Sequence, residues 1–196
     1  MEDSMRVSNG EYELSIFRDE DAESPREWDN LGKMVCWHRR YSLGDKHDFD
    51  SPQDFYDSSE YKDIFVILPI YLYDHSGITI SNDDFGDRWD SGQVGYIYAT
   101  KDSIRKIFGK EPSQIDHKEI IEQLKGETTT YDQYLQGDVY GFTIENRSGE
   151  VVDSCSGFYG GNIADVLQEM KAYTGEEHEG LFSQVERHSS VVAAMM

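Results

Sequence analysis

The chain is expected to fold as α+β, a mostly antiparallel sheet with three or four short helices. Three observations point there. The run 64–73 is apolar, too short to cross a membrane, and rich in β-branched and aromatic residues. Segments around it alternate apolar and polar residues at the period of a half-buried strand. Beyond residue 100 the period becomes helical before a last hairpin and helix, an order unlike the regular alternation of parallel βαβ units.

Taken in order, Tyr12, Leu14 and Ile16 alternate with Glu11, Glu13 and Ser15, which predicts an early strand. Residues 34–41 fit a strand or a short helix and mix apolar with basic side chains in an otherwise acidic chain. Positions 43–62, with Pro52 and several Asp, read as a loop or a frayed helix. The 64–73 run is the central strand of the core, and Pro69 within it demands an edge or a bulge. Residues 77–80 and 93–98 give two more strands, a hairpin whose long tip carries Asp83, Asp84, Asp87 and Asp90.

Thr100 caps a helix with Ile104, Ile107 and Phe108 on one face and Gly109 at its end. Asp116 with Glu119 resembles a capping box ahead of Ile120, Ile121 and Leu124. Gly126 reads as the end of that helix, with a third helix over 130–136. Residues 139–145 and 151–158 pair across the turn Asn146-Arg147-Ser148-Gly149. Asn162 then opens a helix with Ile163, Val166, Leu167, Met170 and Tyr173 along one stripe, stopped by Gly175. The expected organisation is one domain over 1–175 and a flexible tail over 176–196, with no internal repeat.

Charge limits the partners. The 196 residues carry 39 Asp and Glu against 18 Lys and Arg, a net charge of −21, while 13% aromatic residues are too many for a disordered acidic chain. Phosphate binding relies on Lys and Arg releasing counterions, so direct nucleic-acid binding and an anionic membrane surface are disfavoured. A cationic partner is favoured, and a protein groove that holds DNA or RNA is such a partner. A solvated, salt-adapted surface is the rival explanation. The opening Met1-Glu2-Asp3 lacks the parts of a signal peptide, and Cys36 and Cys155 lie far apart, outside C-x-x-C spacing. Both suggest a cytoplasmic protein with reduced thiols, no cysteine-based metal site and no cofactor.

Several groupings carry possible chemistry. Asp74 and His75 sit at the end of the apolar run, although neighbours on a strand face opposite ways unless the chain turns there. Asp83, Asp84, Asp87 and Asp90 could hold a hard cation, but Phe85 stands where an EF-hand pattern needs Asp or Asn. Cys36 and His38 would share a strand face with no third partner evident, and the glycines at 157, 160 and 161 precede a helix without a phosphate-loop lysine. Charge mimicry asks instead for rows of carboxylates. Asp116, Glu119 and Glu122 form one at helical spacing of about 5–6 Å, and Asp45, Asp48, Asp50, Asp54 and Asp57 form an irregular second.

The segments Pro25-Arg26-Glu27-Trp28-Asp29-Asn30, Tyr71-Leu72-Tyr73-Asp74-His75-Ser76-Gly77, Trp89-Asp90-Ser91-Gly92-Gln93-Val94-Gly95, Thr130-Tyr131-Asp132-Gln133-Tyr134-Leu135 with Gly137-Asp138-Val139-Tyr140-Gly141, and Asp153-Ser154-Cys155-Ser156-Gly157-Phe158-Tyr159-Gly160 resemble a family of small acidic proteins of phages and other mobile elements. The resemblance spans roughly 24–161 and carries no catalytic residue. It implies a phage-type context, in which small acidic proteins block restriction or CRISPR machinery by DNA mimicry. The expected function is therefore an acidic interaction protein in the host cytoplasm, bound to a basic DNA-binding defence or replication enzyme. A homodimer is left open. One alternative is a small enzyme acting on a nucleotide or phosphate-bearing substrate through Asp74, His75, Asp90 and Cys155; another is a virion or assembly component.

Overall fold

A computed structural model describes residues 5–194 of the chain. The opening Met1-Glu2-Asp3 lies outside them. Eight strands among the described residues are β1 (Met5–Ser8), β2 (Tyr12–Arg18), β3 (Lys33–Cys36), β4 (Ile64–Asp74), β5 (Ile78–Ser81), β6 (Ser91–Thr100), β7 (Val139–Asn146) and β8 (Val151–Tyr159). Six α-helices accompany them: α1 (Pro52–Asp57), α2 (Ser59–Asp63), α3 (Lys101–Phe108), α4 (His117–Gln136), α5 (Ile163–Ala172) and α6 (Glu179–Ala194). The class is α+β, with two four-stranded sheets whose neighbouring strands all run antiparallel.

Two compact units carry this architecture. One joins the segment ending at Glu23 to the chain from Gly137 onward, around the sheet β1-β2-β7-β8. The alternation of β2 puts Leu14 and Ile16 into its core with Phe142 and Ile144 of β7. The β7–β8 hairpin turns where expected, with the amide of Asn146 donating to the Glu150 carbonyl and Gly149 at φ +76°. Asn162 caps α5 through the amide of Asp165, and Val166, Leu167 and Met170 bury its apolar stripe. Tyr173 falls outside that stripe and is exposed.

The expected tail from 176 is not one. Its residues 179–194 form α6, and Leu181, Phe182 and Val185 are fully buried, with Phe182 meeting Phe142 edge-on at 5.2 Å. The i, i+1, i+4 spacing of these three is an apolar helical stripe, and the charged residues around it mask that period.

Ser24–Gln136 form the second unit, around the sheet β3-β6-β4-β5. Strand β4 is interior. Pro69 is accommodated because β5 pairs with β4 only from Tyr71 onward and the β4–β6 register shifts between Ile70 and Tyr71, the bulge the proline required. β5 and β6 do not form the expected hairpin, since each pairs with β4 instead. Helix α4 packs on this sheet through Ile120, Leu124 and Tyr131 against a core that includes Met34, Ile70 and Ile97.

Local signals decide the helix ends. Thr100 and Ser103 form the reciprocal cap of α3, and Gly109 closes it in the left-handed region at φ +63°. Gly126 does not end a helix. An interior glycine costs only about 1 kcal/mol relative to alanine, and here burial of Leu124, Thr128 and Tyr131 on either side carries α4 through it. The 43–62 region holds two short helices where a loop or frayed helix was expected. Ser51 and Ser58 cap them, and Phe55 is fully buried among Trp37, Phe49, Tyr96 and Tyr98. Among the described residues no helix is long and apolar enough to cross a membrane.

Phe182→Ala should destabilise its unit by about 3–5 kcal/mol, the usual cost of emptying a buried phenylalanine site. Urea unfolding followed by circular dichroism measures it; a loss within error would show that α6 is dispensable to that core.

Candidate functional site

Arg26 stands in the 3₁₀ turn Pro25–Glu27, which Ser24 caps and Pro25 begins. Its side chain is 4% exposed, yet it carries a full charge. Nε donates to Asp45 Oδ1 at 2.7 Å and Nη2 to Asp45 Oδ2 at 2.9 Å, a two-pronged pair. Nη2 also donates to the Gly32 carbonyl at 2.7 Å, and Nη1 reaches Glu127 Oε2 at 3.4 Å. Glu127 in turn accepts from the amides of Leu31 at 2.8 Å and Gly32 at 3.0 Å. A Cβ on residue 32 would come within 2.5 Å of the Leu124 side chain and 2.9 Å of Glu127 Oε2, so a larger residue here would have to displace both. Burial opposes the Arg26 charge, but its two carboxylates hold its pKa above the usual value. Burial raises Glu127 above the ordinary carboxylate range, against the pull of the two amides and Arg26.

Asp45 is thus spoken for, and it leaves the row of binding carboxylates in which the sequence placed it. The remaining members of both rows, with Asp83, Asp84 and Asp87 of the acidic loop, are exposed: Asp48, Asp50, Asp54, Asp57, Asp83, Asp84, Asp87, Asp116, Glu119 and Glu122. Among the described residues none of these is ion-paired. Several accept short-range hydrogen bonds. Asp87 takes the amides of Trp89 at 2.7 Å and Asp90 at 2.8 Å, and these bonds hold its pKa below the usual range. The Asp116 carboxylate accepts from the Lys118 amide while the Glu119 amide donates to the Asp116 carbonyl, so Asp116 caps α4 without the reciprocal side-chain pair of a capping box.

The chain does turn at His75. Ser76 sits at φ +60° and Gly77 at φ +153°, and the His75 amide donates to the Gly77 carbonyl. The turn separates Asp74 from His75 instead of joining them. Asp74 pairs with Arg40 and accepts from the Tyr41 hydroxyl at 3.2 Å. His75 Nδ1 lies 3.2 Å from Asp90, and both side chains are largely open to solvent. The arrangement provides neither a nucleophile nor a screened base. Cys155 belongs to the other compact unit. Cys36 closes β3 in the core, where burial pushes its thiol up to about 12, with Asp45 adding to the shift. His38 lies past the strand end. Its Nδ1 accepts the amides of Arg40 and Tyr41, and its ring stacks on Tyr41 at 5.0 Å.

Among the described residues no three His, Cys, Asp or Glu converge to hold a metal ion. The glycine turn before α5 is closed by Asn162 and Asp165, which bond each other and fill the helix N-terminus with a carboxylate of the chain itself. Sequence reasoning missed two features here. Glu127 as the second carboxylate of Arg26 has no local signal, because the pair spans 101 residues. The basic run His38-Arg39-Arg40 was visible as composition, and the structure sets it against two open cavities. One, of about 410 Å³, is bounded by Asp74, Trp89 and Gln93; the other, of about 780 Å³, by Ser42, Lys46 and His47.

Arg26→Ala should cost about 3–5 kcal/mol, because it strands two partly buried carboxylates, and Arg26→Lys should restore only part of this, lacking the planar fork. Tryptophan-monitored urea unfolding reads both. The raised Cys36 pKa means that the fold favours its neutral form. That contribution is complete below the ordinary thiol value of 9.0 and is lost as pH climbs from there towards 12. At neutral pH iodoacetamide should therefore label half-buried Cys155 in the native protein and Cys36 only after denaturation, as peptide mass spectrometry would show. The chain matches no family model, no curated protein and no solved structure.

Proposed function

We propose that the chain is an acidic interaction protein of phage or mobile-element type that occupies the cationic groove of a nucleic-acid-handling host protein. The observation that carries this reading is the set of exposed carboxylates without cation partners at 48–57, 83–87 and 116–122, all within Ser24–Gln136. A solvated acidic face usually spends part of its charge on neighbouring Lys and Arg. Here the compensating pairs lie elsewhere, at Lys33–Glu60, Arg105–Glu111 and Lys106–Asp29.

The acidic segments are also held in place, which lowers the ordering cost of binding. Buried Phe55 fixes α1, so that Asp54 and Asp57 project from a seated helix. Glu119 and Glu122, three apart on α4, stand about 5–6 Å from one another. Ser81, Asp84 and Asp87 each accept backbone amides along the acidic loop. Host cytoplasm is the compartment in which such a partner would be met. The resemblance to small acidic phage proteins favours a defence or replication enzyme as that partner.

The test is capture of host proteins by the tagged chain at low salt, followed by a DNA-binding assay of the recovered enzyme with the chain as competitor. Inhibition should weaken steeply between about 50 and 500 mM salt, over which screening shortens from roughly 14 to 4 Å. Asp48→Asn, Asp50→Asn, Asp54→Asn and Asp57→Asn combined should reduce inhibition at least tenfold without lowering the melting temperature. An inhibition constant indifferent both to salt and to these substitutions would refute the reading.

A further inference from the structure

The 38–47 segment is the reverse of the surface around it. It carries Arg39, Arg40 and Lys46 together with His38 and His47, and its one carboxylate, Asp45, is turned inward onto Arg26. Asp74 neutralises Arg40, and among the described residues Arg39 and Lys46, both exposed, have no carboxylate partner. The two cavities meet at His38, Arg39 and Arg40. Their volumes of about 410 and 780 Å³ fall in the range of small-ligand sites. With Nδ1 of His38 accepting two amides, a neutral ring carries its proton on Nε2 and is a donor there.

Trp89 borders the smaller cavity and is 94% exposed, with its indole face uncovered. It is not on a loose loop. Asp87 binds the amides of Trp89 and Asp90, and the Ser91 hydroxyl donates to the Asp87 carbonyl at 2.5 Å. Arg39 shares the smaller cavity with this aromatic face, and Lys46 lines the larger cavity that joins it, a combination that suits a ligand with a planar ring and a phosphate.

We propose that these joined cavities bind a mononucleotide, its phosphate at Arg39 and Lys46 and its base against Trp89. Its phosphate end lies apart from the acidic rows, while Trp89 stands on the acidic loop and Asp74 and Asp90 also border the smaller cavity; the proposal does not depend on the partner reading above. A small ligand is favoured over a nucleic-acid strand on electrostatic grounds. Screening confines a bound phosphate to charges within about 8 Å at physiological salt, whereas a strand would run on into the repulsion of a chain carrying −21.

The experiment is calorimetric titration of the full chain with the four ribonucleoside monophosphates, with inorganic phosphate and adenosine as partial ligands. At least one monophosphate should bind one to one and more tightly than either partial ligand. Arg39→Ala with Lys46→Ala should weaken that binding at least tenfold at an unchanged melting temperature. Trp89→Ala should weaken it severalfold while leaving inorganic phosphate binding unaltered. Absence of heat with all four monophosphates at millimolar concentration would overturn the proposal. So would equal binding by the double variant, or tighter binding of a single-stranded oligonucleotide than of any monophosphate.

Discussion

The buried guanidinium of Arg26 is the constraint on which the larger unit depends. Removing a charge from water costs several kcal/mol, and that cost is offset by partners on each nitrogen. Asp45, Glu127 and the Gly32 carbonyl supply them, which ties the 24–32 segment, the start of β3, the 43–45 turn and the middle of α4 to one side chain. The neighbourhood is cross-linked further. Asp45 accepts the Met34 amide, and the Tyr131 hydroxyl accepts the Gly44 amide, so the returning chain is fixed at both its flanks. Three of residues 25–30 serve this arrangement: Pro25 begins the turn, Arg26 makes the pairs, and Asn30 donates back to the Pro25 carbonyl.

The same interaction sets the charge of the surface beyond it. By drawing Asp45 inward, Arg26 leaves residues 38–47 with an excess of positive charge inside a strongly negative chain. A polar loop is thereby divided into an internal half that holds the fold and an external half that is free to meet a ligand. Arg40 stands at the boundary, paired with Asp74 at the end of β4 and lying over the Tyr41 ring at 5.0 Å.

Much of the fold was legible because its signals are local. The β2 alternation, the β7–β8 turn and the caps of α3 and α5 each lie within a few residues, and each behaves as those residues dictate. What failed was non-local. β5 and β6 are neighbours in sequence, but long β4 offers both of them an edge, so strand pairing departed from chain order. Gly126 reads as a stop only when tertiary burial on both sides is unknown, and α6 reads as a tail for the same reason. In the candidate site, Asp74, His75 and Asp90 do lie near one another. Arg40 and Tyr41, the side-chain partners of Asp74, come from a segment that no spacing rule connects to it.

An acidic residue here can staple the backbone and still present its charge. Asp87 shows how: two amides bond its carboxylate, and because they favour the ionised form its pKa falls. Such capping does not discharge Asp87; it keeps that carboxylate charged to lower pH than free aspartate would allow. Asp45 follows the opposite course. Its oxygens face a guanidinium and a buried amide, so its charge is cancelled where it sits. Formal charge counted from composition treats the two alike. Only the carboxylates bonded to neutral donors or to water contribute to the field a partner meets, and the acidity available for recognition is set by what each carboxylate is bonded to.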